Sequence, residues 1–181
     1  LPDAAVNHYL RVASIAPGSA LAAQGHFDAI AALEAAADVP GAAALLEDFR
    51  AAYPDNPLGQ DSAKRLASMY ESTGDPRRAA REYLEIAHSD DAVDVKRQAL
   101  YRAAELYLEL SDANRAIEHF RDYAHSYDEP ADLRLEAIHH LDTLYQQTGD
   151  EEKRRFWLKK KIEQHRCLLY TSPSPRDSIA S

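Results

Sequence analysis

Apolar residues recur along the chain at helical spacing, three and four apart, with charged residues between them. The clearest stretch holds Leu66, Ala67, Met69 and Tyr70, then Thr73-Gly74-Asp75-Pro76, then Ala79, Tyr83, Ile86 and Ala87. It predicts a helix, a turn and a second helix. Gly74 suits the left-handed residue that ends a helix, and Pro76 suits the first turn of the next.

The same hairpin returns at a fixed step. Ala116, Phe120, Tyr123 and Ala124 repeat the second helix 37 residues after Ala79. Leu100, Ala103, Ala104 and Tyr107 repeat the first, with Ser111-Asp112 standing where Gly74-Asp75 stood. Ala42, Leu46 and Phe49 lie 37 residues before Ala79, Tyr83 and Ile86. Ile138, Leu141, Tyr145, Gly149-Asp150 and Leu158 follow at a step of 38. One step further back, Ala5, Tyr9, Val12 and Pro17 match Ala42, Leu46, Phe49 and Pro54. The reading is an orphan second helix with its loop over 1–22 and four hairpins over 23–166. A hairpin cannot bury its apolar face alone, so stacked neighbours must share one core. Ala67, Ala79 and Ala104 let helices approach closely, and Tyr70, Tyr83, Tyr107 and Phe120 fill the space between them. The run Phe156-Trp157-Leu158 reads as part of the last second helix.

This pattern resembles the tetratricopeptide repeat family. Leu66, Ala67, Tyr70, Gly74, Ala79, Tyr83 and Ala87 fall at that family's steps in 61–91, and Ala104, Tyr107, Ala116, Phe120, Ala124 and Pro130 do so in 98–130. The resemblance implies an all-α, right-handed α-solenoid of antiparallel helix hairpins. The period departs from the usual ~34 residues, which predicts longer loops between units. Arg154 stands where alanine is expected, and the stretch around Ala44–Leu46 is a weaker match. A Sel1-like repeat is the nearest rival by length, without its clear Gly-rich loop. Lengthened units of this kind suggest a bacterial protein of the cytoplasm or periplasm.

The resemblance also implies a role. First helices of such arrays line a concave face that holds a peptide or protein segment. By step, the candidates are Phe27, Ala31 and Glu34; Lys64, Ser68 and Glu71; Tyr101, Glu105 and Leu108; and His139, Thr143 and Gln146. The expected function is a non-enzymatic interaction scaffold. The alternative is a non-catalytic accessory region of a larger enzyme or envelope assembly. Members that clamp a C-terminal carboxylate use asparagines at two steps that here carry Arg65 and Ser68, so that ligand is not expected.

Composition narrows the chemistry. Of 181 residues, 45% are hydrophobic and 28% charged, which fits an ordered chain. No apolar run approaches a membrane span. The net charge of −9 argues against nucleic acid as the partner. Charge is uneven: 151–166 holds seven bases against three acids. That end can touch an anionic surface or simply form a solvated helix face. No phosphate loop, nucleophile elbow or dinucleotide fingerprint is present, and no cofactor is expected. The eight histidines lack metal-ligand spacing: His139 and His140 are adjacent, and His119 and His125 are six apart. Glu105 and Glu109, at i and i+4, are the one candidate acid/base pair. They read rather as lining of a polar groove, since like-charge pairs cost little when solvated. Arg81 and Glu85 read as an i,i+4 ion pair.

The chain opens at Leu1 and its one methionine is Met69, which reads as a fragment. Residues 167–181 read as a non-native, disordered tail. Cys167-Leu168-Leu169-Tyr170-Thr171-Ser172-Pro173-Ser174-Pro175-Arg176-Asp177 resembles the translation of a sequencing adapter. A lone Cys167 forms no internal disulfide.

Overall fold

Each expected turn is built from one local device. In the computed structural model, Ala37, Gly74, Ser111 and Gly149 all adopt positive φ, at 59°, 73°, 56° and 76°. They recur at the period read from the apolar pattern. Each ends a first helix with the same two backbone bonds. The amides of Gly74 and Asp75 donate to Glu71 and Tyr70 at 3.1 and 2.8 Å, and the other three turns repeat this arrangement. The next residue is always aspartate. Asp38, Asp75, Asp112 and Asp150 each accept the amide of the residue three further on, at 3.0 to 3.3 Å, and so cap the second helix.

The structure describes residues 2–171, with the side chains of residues 4–164. The chain divides into two compact units, Leu1–Asp90 and Asp91–Ser181. The first unit holds α1 (Pro2–Ile15), α2 (Ala20–Ala35), α3 (Val39–Ala52), a 3-10 turn (Pro57–Gly59), α4 (Ser62–Ser72) and α5 (Pro76–Ser89). Each helix packs on the next in sequence. Helix α1 packs on α2, and α2/α3 and α4/α5 are hairpins. α2 starts at Ala20, where the Ser19 hydroxyl accepts the Ala22 amide at 3.0 Å. α1 approaches α2 closely: a Cβ on Gly25 would stand 2.8 Å from the Tyr9 carbonyl oxygen, which explains glycine inside a helix.

The second unit holds α6 (Val93–Glu109), α7 (Ala113–Ser126), α8 (Ala131–Thr148) and α9 (Glu151–Thr171), again packed in sequence. The described residues contain no strand. α9 continues through Cys167 to Thr171; the remainder of the segment read as foreign, from residue 172 on, lies outside the described residues.

The expected small residues form the core. Ala79 and Ala104 are fully buried and Ala67 nearly so. Leu46, Phe49 and Leu66 fill the first unit; Phe120, Tyr123, Ile138 and Leu141 fill the second. The long period has a different origin from the one expected. Only the α3–α4 connection is long. The α5–α6 and α7–α8 connections span just 90–92 and 127–130. In the second unit the extra residues lie in the first helices: α6 has 17 and α8 has 18, against 11 in α4.

Candidate functional site

The twelve candidate residues occupy three registers on α2, α4, α6 and α8, and the structure sorts them. In the first unit, Arg65 draws α2 and α4 together. Its guanidinium lies 4.9 Å from the Phe27 ring centre and donates to Glu34 Oε1 at 2.8 Å. Phe27 is half-buried against Phe49, with centroids 5.8 Å apart. Lys64 is exposed, yet its ammonium already meets Asp90 at 2.7 Å and Asp61 at 3.6 Å. These carboxylates raise its pKa, the Asp90 hydrogen bond foremost. Glu71 accepts the Tyr83 hydroxyl proton at 2.8 Å, which joins α4 to α5. Ala31 and Ser68 are exposed. This face therefore presents small and polar atoms over charges that are already paired.

In the second unit Tyr101 is not a surface residue. Only 7% of it is exposed, and its ring packs edge-on against Phe120 and Tyr123 at 5.7 and 5.0 Å. Burial raises its pKa, with Glu136 on α8 adding to the effect. The apolar interior between α6 and α7 has claimed an aromatic ring that the repeat step places outside. Next to it, His140 stacks on Phe120 at 4.6 Å. Burial lowers the His140 pKa, while Glu136 and Glu105 pull the other way. Leu108 and Thr143 are half-buried; His139 and Gln146 are exposed. Thr143 donates its hydroxyl to the His139 carbonyl at 3.1 Å, and His139 Nδ1 lies 3.4 Å from the Lys161 ammonium.

Glu105 and Glu109 share one guanidinium. Arg102 lies 3.2 Å from a carboxylate oxygen of each. A guanidinium between two part-exposed carboxylates makes an ion-pair ladder on a helix face. No group of three or more His, Cys, Asp or Glu among the described residues could hold a metal ion. Among the described residues no helix is long and apolar enough to cross a membrane.

The repeat pattern gave no sign of two charge pairs. Arg50 on α3 donates two hydrogen bonds to Glu82 on α5, at 2.7 and 2.9 Å, and Glu82 is buried. They are 32 residues apart, so no local spacing announces them. Around them lies a cleft of about 490 Å³ lined by Glu47, Arg50, Arg78, Arg81, Glu82 and Glu85. Arg81 and Glu85 both line it, without an ion pair between them among the described residues. At its edge the Tyr70 hydroxyl is pushed up to about 12, by burial first and by Glu47 next. The second pair explains the misfit at Arg154: its Nε donates to Asp142 on α8 at 2.8 Å, so a long cation fills the place of an alanine.

Comparison with known proteins follows the same lines. Residues 98–129, which span most of α6 and all of α7, match the family model described as tetratricopeptide repeat. No curated protein matches the chain significantly. Among solved structures, MamA AMB-1 is 16% identical, covers 99% of this chain and 95% of its own, and superposes with a TM-score of 0.52. BtubC (BKLC) from P. vanneervenii is 16% identical over 96% of this chain and 77% of its own, with a TM-score of 0.49. A Podosopora anserina kinesin light chain structure with nearly identical TPR-like repeats is 17% identical over 96% and 90%, at 0.47. One hairpin, α6/α7, thus matches the tetratricopeptide repeat model, and the same capped turn recurs in the hairpins before and after it.

Proposed function

We propose that this chain is a non-catalytic scaffold that holds a segment of a partner protein against its first helices. One observation carries the reading: in the first unit the register shared by Ala31 on α2 and Ser68 on α4 stays exposed on both first helices, beside exposed Glu34 and Lys64. An open register repeated on two neighbouring first helices gives a partner a short ladder of equivalent contacts. In the first unit Arg65 ties Glu34 and Phe27 down, so the ladder is pre-ordered and a bound segment loses less entropy on docking. In the first unit half-buried Phe27 supplies an apolar anchor and Ser68 hydrogen bonds to an extended or helical segment; in the second unit Leu108, Thr143 and Gln146 offer the same kinds of contact. Lys64 contributes a charge already shared with Asp90, and Tyr101 acts through the core. The tetratricopeptide family is generally non-catalytic, which agrees with carboxylates held in ion pairs.

The test is site-specific photocrosslinking of the full chain in lysate. A crosslinker at Ser68 or Gln146 should capture the same protein, and one at the outward Arg77 or Arg121 of the second helices should not. Capture only from Arg77 or Arg121, or no capture from Ser68 and Gln146, would overturn the assignment.

A further inference from the structure

The cleft around the Arg50–Glu82 pair runs on beyond it. A second hollow of about 420 Å³, lined by Pro54, Asp55, Gln60 and Ser62 among others, shares Arg50 and Glu85 with the first. Together they make one groove that starts between α3 and α5 and reaches the long α3–α4 connection. Every residue lining it belongs to the first unit. The charges in this groove do not cancel. Arg50 is taken by Glu82, and Arg78 meets Asp75 at 3.3 Å. Of the lining residues that make no ion pair among the described residues, three are acids, Glu47, Glu85 and Asp55, and one is a base, Arg81. Tyr70 adds an unmet polar group at the α5 end. It is only 3% exposed, and its hydroxyl has no hydrogen-bond partner among the described residues. Burial first and Glu47 next raise its pKa while Arg78 pulls it down, so both side chains stand at the phenol.

We propose that this groove is a second binding site, which takes an extended basic segment of a partner protein. One lysine or arginine would meet Glu47, and another would meet Glu85 and Asp55. Charge complementarity identifies the occupant, because the groove keeps an excess of unpaired acid. A cation at Glu47 would also donate to the Tyr70 hydroxyl oxygen, a buried atom that otherwise lacks a bond. Glu82 is no anchor, since Arg50 already holds both its oxygens. Spacing favours an extended chain. Arg78, which stands beside Glu47 at Tyr70, is seven residues from Glu85 on α5, or about 10 Å of helix. A polyproline-II segment brings side chains at i and i+3 to one side about 9 Å apart. The lining residues include no large apolar side chain, which leaves no seat for the apolar face of an amphipathic helix. The groove is built from second helices and a connection, so it is independent of the first-helix ladder.

The full chain is titrated against a fluorescein-labelled peptide of lysines separated by proline pairs, read by anisotropy. The same peptide with glutamate for lysine is the control. Binding of the lysine peptide that falls on the order of tenfold in Glu47→Gln/Glu85→Gln, and tightens in Arg81→Gln, supports the proposal. Arg81 is exposed, so its variant tests the charge balance without touching the core, and far-UV circular dichroism confirms that both variants stay folded. Ser68→Leu should leave the affinity unchanged. The proposal is overturned if the lysine peptide does not bind, if the glutamate peptide binds as tightly, or if Arg81→Gln weakens binding. It is also overturned if spermidine binds more tightly than the peptide, which would make the occupant a polyamine, or if sedimentation shows that the groove instead joins two copies of this chain.

Discussion

Changing Ser111 to glycine should stabilise the second unit. Ser111 sits at φ 56° at the end of α6, where the turn demands a left-handed residue. An L-residue there costs about 1–2 kcal/mol from contact between its Cβ and the following carbonyl. Ser111 is exposed and its side chain makes no hydrogen bond among the described residues, so nothing offsets that cost. Glycine removes the strain but gains about 0.5–1 kcal/mol of freedom in the unfolded chain. The net expectation is a gain of roughly 0.5–1 kcal/mol, or about 2–8 °C in melting temperature for a unit of this size. Gly149→Ala is the reciprocal change. A Cβ on Gly149 meets nothing within 4 Å, so its cost is conformational alone, about 1 kcal/mol. Trp157 is the one tryptophan and is buried in α9, so its fluorescence in a urea titration reports the second unit. A lower midpoint for Ser111→Gly, or an unchanged midpoint for Gly149→Ala, would refute the idea that backbone strain at this register governs the hairpins.

Three other outcomes are expected. Glu82→Ala leaves Arg50 without its bidentate partner and should cost about 1–3 kcal/mol by urea denaturation, below the value for a fully buried pair because Arg50 is 37% exposed. Ala79→Leu forces a larger side chain into a fully buried site and should cost about 1–3 kcal/mol by the same assay. His140 is held neutral by burial, against the pull of Glu136 and Glu105, so the unfolded chain binds its proton more readily than the folded one. Stability should therefore fall as pH drops through about 6.5, level off below the lowered folded pKa, and fall less in His140→Phe, with the Trp157 urea midpoint as readout.

Much of the architecture was readable because the repeat rests on local and small-residue signals. Gly74-Asp75 and Gly149-Asp150 announce their turns, and Ala67, Ala79 and Ala104 mark the close contacts. Ala37 was silent because alanine is no turn signal, although it adopts the same backbone as Gly74. The lengths of α6 and α8 were hidden because a fixed period does not say whether added residues join a loop or a helix. Tyr101 shows the limit of transferring positions by step: an aromatic side chain with Phe120 and Tyr123 within reach goes to the interior. Arg50 with Glu82 and Arg65 with Glu34 were beyond reach, since each partner is meaningful only once neighbouring hairpins have met.

The turn device has a kinetic consequence. Every bond in it joins residues at most five apart, so a hairpin can close as soon as its own residues have left the ribosome. Contacts of such short range fold quickly. The Arg50–Glu82 clasp must wait for α5, 32 residues after Arg50 has emerged. Synthesis from the N-terminus thus delivers preformed hairpins one at a time, and in the first unit the clasp fastens only after both are made.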